Sequence, residues 1–101
     1  MEIPKKTEIV VLPIDVEVDG CIVTLLEATK FTLTHTIYQV SCQARCGDMQ
    51  SQIFHVTYST PHELIQKLKT EIAKFKYMIW LLGKEEMIRR GIATRWKETK
   101  K

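Results

Sequence analysis

A chain of 101 residues has room for one domain with a modest core, and 45% apolar residues without any low-complexity segment is the make-up of an ordinary folded protein. The apolar run Met78 to Leu82 is far shorter than the ~20 residues a membrane-spanning helix needs, and the polar lead-in with Glu2, Pro4, Lys5 and Lys6 lacks the apolar stretch of a signal peptide. The net charge of +3 is unevenly spread: residues 61–101 carry eleven basic and five acidic side chains, residues 1–60 four and seven, a segregation that points towards an acidic partner.

In chain order, residues 1–7 read as a loose lead-in, and strand character begins at Glu8. Val10, Leu12, Ile14, Val16 and Val18 share one parity while Pro13 falls on the other, so this strand is an edge or is broken at Pro13. Asp19-Gly20 is a two-residue turn signal. Closing it there sets Val18 opposite Cys21, Val16 opposite Val23 and Ile14 opposite Leu25, all apolar and all on one face. Glu27 to Lys30 interrupts the pattern, and Phe31 and Leu33 resume it with odd parity. Tyr38, Val40, Cys42 and Ala44 then carry the apolar face with even parity, which calls for a turn or sharp bend within Thr34-His35-Thr36.

The next hairpin turns at Gly47-Asp48. A two-residue loop would oppose apolar side chains to polar ones, whereas a loop of Gly47-Asp48-Met49 sets Cys42 against Phe54, Val40 against Val56 and Tyr38 against Tyr58. The reverse face of these strands is polar and almost uncharged, with Gln39, Ser41, Gln43, Ser51, His55 and Thr57.

The helix signal over Thr60 to Leu82 is the clearest in the chain. Thr60 and Glu63 form a capping box and Pro61 stands at the first helical position. Ile65, Leu68, Ile72, Phe75, Ile79 and Leu82 recur at alternating steps of three and four, and Gly83 supplies the stop. The expected fold is α+β: an antiparallel β-meander of four strands, or five, packed against a long C-terminal helix and followed by a short basic helical tail over residues 84–101. This order of four strands and a helix is similar to the repeat of Whirly-type and purine-rich-element-binding single-strand proteins; no motif residue carries the likeness, and no site is transferred from it.

Chemistry is sparse. Cys42 and Cys46 sit four residues apart on one strand, about 13 Å, too far to share a tetrahedral ion with His35 or His55. Cys21, Cys42 and Cys46 make an odd count, which argues against a disulfide framework and for a reducing, cytoplasmic setting. His55 has no acid placed near it, and the four glycines fall at turns and helix ends rather than in a phosphate loop. No enzyme, metal or cofactor is expected.

The basic tail is better populated. Lys84, Arg89, Arg90, Arg95 and Lys97 surround Trp96, and Lys67, Lys69, Lys74 and Lys76 continue the charge along the helix. Cations of this kind can hold phosphates and Trp96 can stack on a base, so the first expectation is a non-enzymatic nucleic-acid-binding accessory protein. The second comes from Met78-Ile79-Trp80-Leu81-Leu82, a helical turn apolar on every side. Met78, Trp80 and Leu81 point away from the seam, so either a second copy covers them in a twofold dimer or Met87, Ile88, Ile92 and Trp96 fold back over them.

Overall fold

The computed structural model of the chain describes residues 6–32 and 34–96, with residues 6–12 described by backbone alone. Its elements are β1 (Lys6–Val18), β2 (Cys21–Thr32), β3 (Thr36–Cys46), β4 (Met49–Ser51), β5 (Phe54–Tyr58), α1 (Pro61–Leu82), α2 (Lys84–Arg89) and β6 (Ala93–Arg95). One antiparallel sheet runs β1-β2-β3-β4-β6, and β5 continues the lane of β4 along the same edge of β3. The α+β arrangement expected from the pattern is the one observed.

The first hairpin closes at Asp19-Gly20, where both residues have positive φ (49° and 83°), as a tight two-residue turn requires. Val18 pairs with Cys21, Val16 with Val23 and Ile14 with Leu25. Further along, Leu12 and Pro13 together face the single residue Leu26, and Leu26 is itself an extra residue relative to β3. Pro13, which has no N–H to donate, thus stands in a bulge on an edge strand. The bulge also corrects the sequence reading of β2. That strand runs unbroken through Glu27–Lys30, its parity changes at Leu26, and Phe31 pairs with Ile37 on the face away from the helix.

The second hairpin keeps the expected register, with Cys42 opposite Phe54, Val40 opposite Val56 and Tyr38 opposite Tyr58. Its loop is nevertheless two residues, Gly47-Asp48, because Cys46 pairs with Met49. The extra residue is absorbed at Gln52-Ile53, between β4 and β5. Ser51 makes that break tolerable: its Oγ accepts the Ala44 N–H at 2.9 Å and donates to the Gln52 carbonyl, and its own carbonyl accepts from Gln43. Met49 gains from the change, since it leaves the loop for a fully buried position.

Helix α1 begins as its capping residues dictate. Thr60 Oγ1 accepts the Glu63 N–H at 3.2 Å, and Glu63 reaches back to the Ser59 N–H at 2.7 Å. Leu68, Ile72 and Phe75 are buried against the sheet, but Ile65 is half exposed and Leu64 packs in its place. Val18, Cys21, Val23, Val40, Cys42, Ala44 and Val56 form the sheet side of this core. Gly83 (φ 88°, ψ 155°) donates its N–H to Ile79 and redirects the chain into α2, using a backbone conformation that is nearly glycine-only.

The tail then differs from the expected helical one. Among its described residues only Lys84–Arg89 is helical; Ala93–Arg95 adds to the outer edge of β4 as a sixth strand, and residues 97–101 lie outside the described residues. This return builds a second cluster of Met49, Phe75, Met87 and Ala93, against which Met78, Ile79, Leu82, Ile88 and Ile92 pack. A second correction concerns the cysteines. The β2–β3 register places Cys21 opposite Cys46, their Cα atoms 4.6 Å apart, and the two are disulfide-bonded; Cys42 alone is free. Parity of the cysteine count carried no information about this pair, because two cysteines can bond and leave the third as a core residue.

Candidate functional site

The basic residues gathered by the tail fold are drawn into ion pairs. Lys84 from the start of α2 and Arg95 from β6 both reach Asp48 in the β3–β4 turn, at 2.8 and 2.5 Å. The second guanidinium nitrogen of Arg95 pairs with Glu85. The hydrogen bond from Lys84, reinforced by the charges of Lys84 and Arg95, holds the Asp48 carboxyl below its usual range. One turn on, Glu86 takes Arg90 at 2.6 Å and also Arg89, and the Arg90 bond is the main cause of its lowered pKa. Four cations of the expected phosphate-binding set therefore face three carboxylates of the same chain. Lys97 lies outside the described residues.

Three of the four lysines of α1, all but Lys69, are also engaged. Lys67 donates to the Thr57 carbonyl at 2.6 Å and lies 3.5 Å from Glu63; Lys74 lies 3.2 Å from Glu71; Lys76 donates to the Asp19 carbonyl.

Trp96 is separated from the arginines around it in sequence. Arg95 pairs with buried Met49 and so lies on the helix side, whereas Trp96 donates its backbone N–H to the Asp48 carbonyl and sits beneath Arg45, whose Cζ is 4.4 Å from the ring centroid. Arg45 alternates with Ala44 and Cys46 of the core, so it rises from the reverse face, where it also lies 3.4 Å from Asp15. The parity of β3 could have placed Arg45 on that face from sequence. Its meeting with Trp96 depends on β6 and could not have been read there.

His55 Nδ1 lies 3.1 Å from Ser41 Oγ on the reverse face, and no cluster of His, Cys, Asp and Glu able to hold a metal occurs among the described residues. Burial, aided by the charge of Glu71, pushes the Cys42 thiol up to about 11, far from a reactive thiolate at neutral pH.

The expected oligomer contacts divide. Met78 is half-buried against the second cluster, so the tail does fold back over it. Trp80 and Leu81 stay outside, 77% and 59% exposed, and they are joined by Tyr77, whose ring centroid is 5.8 Å from that of Trp80. Tyr77 was missed because it precedes the all-apolar run, although its spacing of three and four residues from Trp80 and Leu81 puts it on their face.

Among the described residues no helix is long and apolar enough to cross a membrane. No family model, curated protein or solved structure matches this chain.

Proposed function

We propose that this chain is a non-enzymatic interaction module that self-associates through the outer face of α1. The observation that carries the reading is the cluster of Tyr77, Trp80 and Leu81, which remains in solvent after both the sheet and the tail have packed. With ~150–250 Å² available on each aromatic side chain, the three leave roughly 400 Å² of mainly apolar surface per chain, about half of what one partner contributes to a standard interface. The flanking residues of α1 supply the remainder.

The patch suits a second copy because it is self-complementary. Antiparallel pairing of two α1 helices about Tyr77 sets Leu81 of one copy over Ala73 of the other, a large side chain facing a small exposed one, and Trp80 over Lys74. Light scattering at micromolar concentration tests the reading. The expected mass is that of two chains, and replacing Trp80 with Glu together with Leu81 with Gln should give folded monomer. Wild-type protein at the mass of one chain refutes it.

Nucleic-acid binding is the second reading. It rests on the Arg45–Trp96 pair beside the polar reverse face of β3 and β5 and on the exposed guanidinium groups of Arg89 and Arg90. Retention on nucleic acid that falls steeply with salt, and less steeply after Arg89 and Arg90 are neutralised, supports it; no salt-dependent retention removes it. Cytoplasmic placement is likewise a proposal, and the Cys21–Cys46 bond takes away the reducing-compartment inference drawn from the cysteine count.

A further inference from the structure

Strands β4 and β5 share one lane beside β3, yet only β4 has a neighbour on its outer edge. The β4–β6 ladder ends at Ser51 opposite Ala93, and no strand among the described residues pairs with the outer edge of β5. The orientation of that free edge is set by one bond. The Thr57 carbonyl accepts from Lys67, so it points away from β3. Within an antiparallel strand the N–H and C=O of a residue point the same way and alternate residues agree. His55 and Thr57 therefore turn their backbone groups outward, while Phe54, Val56 and Tyr58 bond to β3.

Beyond the edge the flank of α1 overhangs an unfilled lane. Two adjoining hollows lie there, of about 340 Å³ beside His55 and Thr57 and about 210 Å³ beside Ile53, Phe54, Met78 and Ile92, and both are walled by Glu71 and Lys74.

We infer that this lane is a docking groove for an extended peptide of a partner protein, added as a strand to β5. Residues Ala93–Arg95 of the chain already use the same mode one step along the lane, so a bound peptide would continue the β6 ladder rather than open a new surface. An unpaired edge offers backbone donors and acceptors that only another extended backbone can satisfy in register. The groove also specifies side chains. At the Ile53, Met78 and Ile92 end it takes an apolar residue. At the other end, an incoming N–H that bonds to the Thr57 carbonyl displaces the Lys67 ammonium, and a carboxylate on the peptide gives that ammonium a new acceptor. Running antiparallel to β5, the peptide carries the acidic residue four positions before the apolar one, both on the α1 side. The groove adjoins the Tyr77–Trp80–Leu81 face at Lys74 but is lined by none of those three residues, and the peptide proposal does not rest on self-association.

The probe is acetyl-Thr-Glu-Thr-Val-Thr-Leu-Thr-amide, titrated into full-length protein while amide hydrogen exchange is followed by NMR. In the free protein the His55 and Thr57 amides should exchange freely while that of Val56 is protected; bound peptide should protect both. N-methylation of the third and fifth peptide amides, which face the edge, should weaken binding about tenfold or more. Methylation of the fourth, which faces away, should change it by less than about threefold. Absence of protection at millimolar peptide overturns the inference, as does equal binding by the doubly methylated peptide. Protection of His55 and Thr57 that rises with protein concentration alone would assign the lane to a second copy and overturn the peptide assignment.

Discussion

Reduction of the Cys21–Cys46 bond should cost more stability than any single surface change in the molecule. The two residues face each other across β2 and β3, one pair beyond Ile22 and Arg45, with a Cα separation of 4.6 Å that suits both a disulfide and a close antiparallel pair. The bond joins positions 25 residues apart, and for a loop of that size the chain-entropy model gives about 3.5 kcal/mol at 25 °C. In a domain of this length that corresponds to a fall of about 15–25 °C in Tm. Because the Asp19-Gly20 and Gly47-Asp48 turns set the strand pairing independently, the reduced protein should keep its fold, and the loss should come from a less restricted unfolded chain. Thermal unfolding followed by circular dichroism, with and without a phosphine reductant, measures the difference. Thiol titration accompanies it. Unreduced protein should show one reactive thiol in denaturant and none when native, since Cys42 is fully buried with its thiol pushed up to about 11. Three thiols in unreduced, denatured protein, or a Tm indifferent to reductant, would refute the reasoning.

Replacing Ile72 with Ala should cost about 2–5 kcal/mol in urea denaturation, as for other buried isoleucines, whereas Ile65→Ala should cost under about 1 kcal/mol. Ile72 is 1% exposed and Ile65 50%, so equal costs would mean that α1 presents a different stripe to the sheet. Stability should also fall in acid. Asp48, Glu63 and Glu86 all have lowered pKa values, caused first by the bonds from Lys84, the Ser59 N–H and Arg90 respectively. Their contribution is complete above the unfolded carboxylate range and is lost as pH falls through the lower folded values, so urea midpoints should be level from about pH 5 to 7 and drop below about pH 4. Because these pairs are exposed, molar salt should shrink that drop; a drop unaffected by salt would point to buried groups instead.

What could be read without coordinates was what neighbouring residues settle among themselves. Asp19-Gly20 closes a hairpin because its two residues accept positive φ and the flanking side chains agree in parity. Thr60, Pro61 and Glu63 start a helix because they satisfy or remove its first free N–H groups. The pairing of Val40 with Val56 follows from keeping apolar side chains on one face, wherever the chain accommodates its odd residue.

Where that residue goes was decided by tertiary packing. Local rules allowed it in the Gly47-Asp48-Met49 loop, but Phe75 and Met87, more than twenty residues away in sequence, offer Met49 a dry site, so the turn shortens and the ladder breaks at Gln52-Ile53. Leu64 displaces Ile65 from the sheet contact because adjacent stripes of α1 are almost equally apolar, and the orientation of the helix on the sheet chooses between them. The bonding of Cys21 to Cys46, the ion pairs of Asp48 and Glu86 with the tail, and the parting of Trp96 from Arg95 depend likewise on strand order and on β6. Periodicity fixes which face a side chain lies on within its own element; it carries no information about which distant element will stand opposite, and every feature the sequence left open here is a contact of that second kind.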